Sequence, residues 1–250
     1  TQSRLEIPSF SGRAGTGSIS GRGTVSLDAA QGYPLSIAVT LDKAQLAKSD
    51  ALGATVSGTL SVTNSKADGA LIKGDLRVPS ARYQIVRQGA ADVAELEGVR
   101  RKGQQGVTAA AATTPPPSRW RLDIRIRAAN KIFVSGMGLE AEFATDMHVT
   151  GTATKPVVVG KLSVVRGTYS FAGRRFDLDD NGDIQFDGPL LDPELDISAS
   201  TTVEGVSATI NIGGHAQHPQ ISFTSTPSLP QDEILSRLLF NRGVGTLSPA

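Results

Sequence analysis

The sequence predicts an all-β protein: an elongated, antiparallel-rich sheet with one greasy and one wet face, ending in a short amphipathic helix. Three observations predict it. Apolar and polar residues alternate with a period of two in run after run of the chain. Glycine and proline, 27 and 13 of the 250 residues, punctuate those runs as turn formers. Only the stretch Leu229–Phe240 near the end switches to helical spacing.

Taken in order, the glycines from Gly12 to Gly23 follow neither a G-x-G-x-x-G nor a Walker register and lead into strand text, so they read as turns rather than a phosphate loop. Leu35, Ile37, Val39 and Leu41 then alternate, as do Leu122, Ile124 and Ile126 against Asp123, Arg125 and Arg127. Further runs are Val157, Val159 and Leu162; Ala208, Ile210 and Ile212; and Ile221 and Phe223. The pattern Gly-x-Leu-x-Val recurs at Gly58–Val62, Gly74–Val78 and Gly160–Val164, with Tyr83 and Tyr169 five residues after the last two. Its irregular spacing favours one long sheet over a solenoid with a fixed rung. Residues 1–250 read as a single elongated domain. The segment 98–118, with its alanine run and TTPPP, interrupts it as an inserted loop, because strand text resumes at Trp120.

Composition narrows the function. A net charge of +1 offers no polybasic field, so nucleic acid is not the expected partner. The absence of cysteine removes disulfides, thiolate metal sites and a cysteine nucleophile. No run approaches the ~18 apolar residues of a membrane-spanning helix, and the opening TQSRLEIPSF is no signal peptide. It begins directly on strand text, as expected of a fragment whose targeting segment lies upstream.

The motifs that suggest chemistry do not carry it. Asp177, Asp179, Asn181 and Gly182 match the start of an EF-hand loop, but position twelve is Gly188 where a bidentate glutamate is needed. Strand text on both sides makes Asn181–Gly182 a hairpin turn instead. His215 and His218 have H-x-x-H spacing but no carboxylate beside them in their GGHAQHP loop. With no G-x-S-x-G elbow and one further histidine, His148, an enzyme is not expected, nor a metal or cofactor.

The terminal helix is specified by a Ser228–Gln231 capping box, Pro230 in the first turn, Asp232 and Glu233 at the positive end of its dipole, and Gly243 as a stop. It is expected over 229–241, with Ile234, Leu235, Leu238 and Leu239 on one face. That face either plugs the end of the sheet's apolar surface or docks on a partner or membrane. The apolar sheet face has two readings as well: a groove that keeps acyl chains from water, or a core filled by its own side chains.

The stretches FVSGMGLEAEF (133–143), VTGTATKPVVVGKLSVVRGTYSFAGRRFDLDDNGDIQFDG (149–188), DPELDISAS and STPSLPQDEILSRLLFNRGVGTLSP closely resemble the C-terminal domain of the TamB family. That family supplies the inner-membrane-anchored component of the translocation and assembly module of Gram-negative bacteria, and is akin to AsmA-like and chorein-like bridge proteins. The resemblance implies a curved sheet, the β-taco, with an apolar concave groove, in the periplasm and on a protein anchored upstream. It implies phospholipid transport between inner and outer membrane as part of outer-membrane biogenesis, with phospholipid acyl chains and a TamA-like outer-membrane barrel protein as partners. The alternative is an assembly chaperone for outer-membrane proteins or autotransporters, whose unfolded strands it would shelter. No catalytic residues carry over. Candidate groove-lining residues are Ile124, Ile126, Val134, Phe143, Val159, Leu162, Val164, Phe171, Phe176, Ile184, Phe186, Ile197, Ile210, Ile212 and Phe223. Ile234, Leu235, Leu238, Leu239 and Phe240 form the candidate cap helix that meets the partner.

Overall fold

The structure, a computed structural model, describes residues 4–85, 120–188, 192–203 and 205–240. Its strands are β1 (Arg4–Ala14), β2 (Gly17–Ser26), β3 (Leu35–Lys48), β4 (Leu52–Ser65), β5 (Gly69–Gln84), β6 (Trp120–Gly136), β7 (Leu139–Thr152), β8 (Lys155–Phe171), β9 (Arg174–Leu178), β10 (Asp183–Gly188), β11 (Glu194–Val203), β12 (Val206–His215) and β13 (Gln220–Thr226). One helix, α1 (Gln231–Phe240), follows. The strands form a single sheet in chain order, as expected of consecutive hairpins.

One pair departs from antiparallel order. β5 and β6 run parallel, Ala70 beside Trp120 and Gln84 beside Ser135. A parallel pair obliges the chain to travel back along the strand before the next one starts. The long interval between Gln84 and Trp120 therefore has a topological reason. The expected inserted loop 98–118 lies in that interval, outside the described residues.

A line of bulges crosses the sheet. Register slips between Leu41 and Ala44 in β3, Thr55 and Ser57 in β4, Arg77 and Ala81 in β5, Ala128 and Ile132 in β6, and at Val165 in β8, between paired residues Val164 and Arg166. Extra residues bend and twist a strand, and bulges aligned from β3 to β8 crease that part of the sheet into two wings. The backbone groups they strand are satisfied locally. Lys43 N–H donates to Ser57 Oγ (2.9 Å) and Lys131 N–H to Glu142 Oε1 (3.0 Å); both lysines take positive φ. Along the crease lie Leu41, Ala44, Val56, Leu76, Ala128, Phe143 and Val164, all buried where the wings converge.

The curl is measurable. Phe171 at the end of β8 and Phe223 in β13 meet in a tilted ring contact, 5.9 Å between ring centroids. In a flat sheet the lanes between them, β9, β11 and β12, would hold them roughly 19 Å apart at ~4.8 Å per step. Only a concave sheet brings those rings together.

Two local expectations are corrected. Asn181–Gly182 is not a hairpin turn: β9 and β10 do not pair with each other but lie end to end in one lane between β8 and β11. The segment 179–182 is the interruption in that lane, where Gly182 O accepts from Val164 N (2.8 Å) and Asp179 Oδ2 accepts from Ser198 Oγ (2.7 Å). The turn itself forms, Gly182 N–H donating to Asp179 O (3.3 Å), but pairing with β8 and β11 makes it join two strands of one lane instead of a hairpin. The helix starts at Gln231, and Ile234 N–H donates to Pro230 O (3.0 Å). Pro230 is thus the N-cap, not a first-turn residue, and Ser228 stands outside the helix. The expected stop at Gly243 falls outside the described residues.

Candidate functional site

Paired residues in a sheet share a face, so registers can be followed from strand to strand. One row runs Phe10, Gly21, Val39, Leu60, Gly74, Ile124, Val149, Val158 and Gly188. It contains no polar side chain. The next row runs Ser11, Ser20, Thr40, Thr59, Asp75, Arg125, His148, Val159 and Asp187, polar throughout except at Val159. The apolar row lies on the concave side, the polar row on the convex side.

Glycines in the apolar row make room for large neighbours, since a concave face crowds its side chains. A Cβ on Gly21 would run into the Phe10 ring, and one on Gly74 into the Leu60 side chain. This is the structural content of the Gly-x-Leu-x-Val repeat: Gly58, Leu60 and Val62 face inward together, and each glycine lies under a neighbouring side chain or strand.

The concave side divides into two stretches. Towards the N-terminus its floor is Leu41, Ala44, Val56 and Leu76, with Ile19, Val39, Leu60 and Ile124 only partly covered around it. Towards the C-terminus the valley is filled. Phe143, Val164, Phe176 and Ile210 are buried in one cluster with Ile234 and Leu238 of α1. Arg174 Nε, from the β8–β9 side, donates to Leu238 O (2.8 Å) and holds the helix's last turn.

The candidate lining residues fall accordingly. Ile124, Ile126, Val134, Leu162, Phe171, Ile184, Phe186, Ile197, Ile212 and Phe223 are half-buried on the concave face. Phe143, Val164, Phe176 and Ile210 share that face but belong to the packed cluster, so they line no open surface. Val159 is a correction: it is 51% exposed on the convex side, and Val158, 4% exposed, takes the inward position. Of the cap-helix residues, Ile234 and Leu238 face the valley and Leu235 is half-buried. Leu239 and Phe240 are exposed instead of sharing the buried face. Sequence reading missed Ile19, Val39, Leu41, Leu60 and Leu76, although the alternation at 35–41 and the repeat at 58–62 carried the signal.

The convex side is laced with ion pairs across strands. Asp123 accepts from His148 Nε2 (2.7 Å) and lies 3.3 Å from Lys73 Nζ; Asp75 pairs with Arg127, and Lys161 with Asp183. His148, then Lys73, holds the Asp123 carboxyl below its ordinary range. These exposed pairs set the polarity of the face more than its stability. His215 is likewise structural: its ring lies 3.3 Å from Asp192 O, while Asp192 Oδ1 accepts from Gln217 N–H (3.0 Å), closing the loop between β12 and β13.

A family model for the TamB C-terminal domain matches residues 8–250. A curated relative, the translocation and assembly module subunit TamB of Haemophilus influenzae, is 28% identical over 139 residues. That match covers 54% of this chain and 11% of the relative, so the chain spans a small part of the protein it resembles.

Proposed function

We infer the role from membership: the chain belongs to the TamB C-terminal domain family. In this reading it is the C-terminal part of an envelope-spanning, inner-membrane-anchored protein serving outer-membrane assembly. Its concave face shelters phospholipid acyl chains on their way between the membranes, beside a TamA-like outer-membrane barrel. The domain binds and guides; it performs no reaction.

The observation that supports this reading is the row from Phe10 to Val158, apolar on one side of a creased sheet whose other side is charged. A valley of that kind lowers the cost of an acyl chain leaving a bilayer, at about 0.8 kcal/mol for each methylene kept from water. A chaperone role draws support from a different feature. Among the described residues β1 and β13 each pair with a single strand, leaving sheet edges on which an unfolded strand could pair.

Adjacent positions in β5 separate the two. Ile72 pairs with Val62 and Leu122 on the concave side, and Lys73 faces outward. A photoreactive residue at 72 should yield phospholipid adducts in cells, and one at 73 should not. Equal lipid labelling at both positions would sink the acyl-groove reading. Adducts with unfolded barrel proteins at Gln220 in β13, with none of lipid at 72, would favour the chaperone.

A further inference from the structure

The last stretch of the valley is occupied by the protein itself. Ile234 and Leu238, one helical turn apart and each 2% exposed, enter the cluster of Phe143, Phe176 and Ile210. The trough continues from there towards β6 and β4, where Ile124 and Leu60 are only partly covered. The two stretches share one apolar face and differ in their occupant.

Three features make that occupant detachable. At ten residues α1 is too short to remain helical alone in water, so docking supplies its helicity. It hangs from the sheet by the short tether 227–230, and Arg174 holds its final turn at Leu238 O. Its outward side carries the Glu233–Arg237 ion pair (2.8 Å) and, in the last turn, Leu239 and Phe240, 50% and 61% exposed, so part of the helix's apolar surface is left unburied in the docked position.

We propose that the valley beneath α1 is a second acyl-chain site, with α1 as the resident plug that an alkyl chain displaces. This rests on the acyl-groove reading above and adds a gate to it. Lipid reaching the end of the trough exchanges with Ile234 and Leu238 for the same surface, so arrival of cargo and release of the helix are one event. An acyl chain suits the site because the cluster it would join is entirely apolar.

The test compares two positions. A photoreactive residue at Ile72 reports the open stretch; one at Ile132, which packs on the buried cluster, reports the stretch under α1. Vesicles of phosphatidylethanolamine and phosphatidylglycerol supply the lipid, and a spin label at Leu239→Cys reports release, the chain having no cysteine of its own. With α1 intact, adducts should form at 72 and be scarce at 132. Arg174→Ala should raise the yield at 132 by about tenfold or more, the worth of one charge-assisted hydrogen bond, and Leu238→Asp should bring it level with 72. Should Leu238→Asp fail to fold, Arg174→Ala carries the comparison. Equal yields at both positions with α1 docked would overturn the plug. So would a released label with no gain at 132, or a label that stays immobile in both variants while lipid labels 72. Absence of adducts at 72 in every background would remove the acyl-groove reading, and the plug with it.

Discussion

Phe171 and Phe223 meet across the valley, 5.9 Å between centroids at a 42° tilt, although their strands are not neighbours in the sheet. The contact exists only while the sheet is curled. A double-mutant cycle with Phe171→Ala and Phe223→Ala, read by denaturant unfolding, should therefore give a coupling of about 0.5–1.5 kcal/mol. Strict additivity would mean that the rings do not meet in solution and that this end of the sheet is open.

Gly160 occupies φ +137°, and a Cβ there would collide with the Asp146 carbonyl of the neighbouring strand. Gly160→Ala should cost about 1–3 kcal/mol from backbone strain, with steric displacement added. Gly12 has open space around it and no such φ. Gly12→Ala should leave the thermal midpoint within a degree or two of wild type, and an equal loss in both variants would contradict the repeat's proposed role in packing.

The lanes of the sheet were legible in the sequence because period-two alternation fixes side-chain direction wherever a strand is regular. The crease was not, because a bulge residue such as Lys43, Lys131 or Val165 carries no composition that marks it. Each one resets which alternate set points inward. Val159 shows a different failure, since β8 is regular from Val158 to Val164. Grouping Val157 and Val159 with Leu162 joins residues of opposite parity. At Asn181–Gly182 the turn signal was right and the hairpin was not: the turn forms, but the strands it joins pair with β8 on one side and β11 on the other. The open half of the valley was readable from its alternation, yet only the pairing of five N-terminal strands connects it to the C-terminal half.

Val158 and Val159 provide a direct check of that parity. Val158→Asp places a carboxylate in the buried row and should cost about 3 kcal/mol or more. Val159→Asp adds a charge to a face already carrying His148 and Asp187 beside it, and should stay within ~0.5 kcal/mol. Urea unfolding of the two variants decides it: a reversed order would put β8 in the other register.

Glu142 is a buried charge on the convex side, and it clamps two bulges at once. Its carboxylate accepts from Arg166 Nε at 2.7 Å, beside the bulge of β8, and from Lys131 N–H at the bulge of β6. The Arg166 guanidinium lowers the carboxyl pKa; burial opposes this, and the Lys131 amide adds to the lowering. A carboxyl whose pKa is depressed by folding contributes stability above its unfolded value of about 4.3, and loses that contribution as pH falls through the folded value. Glu142→Gln removes the charge and turns an amide donor towards Arg166, so its thermal midpoint at pH 7 should lie below that of wild type. The gap should narrow as the pH drops below about 4 and close once the wild-type carboxyl is protonated. A gap of constant size between pH 7 and about 3 would show that Glu142 acts through shape alone, and that the charge pair does not hold the crease.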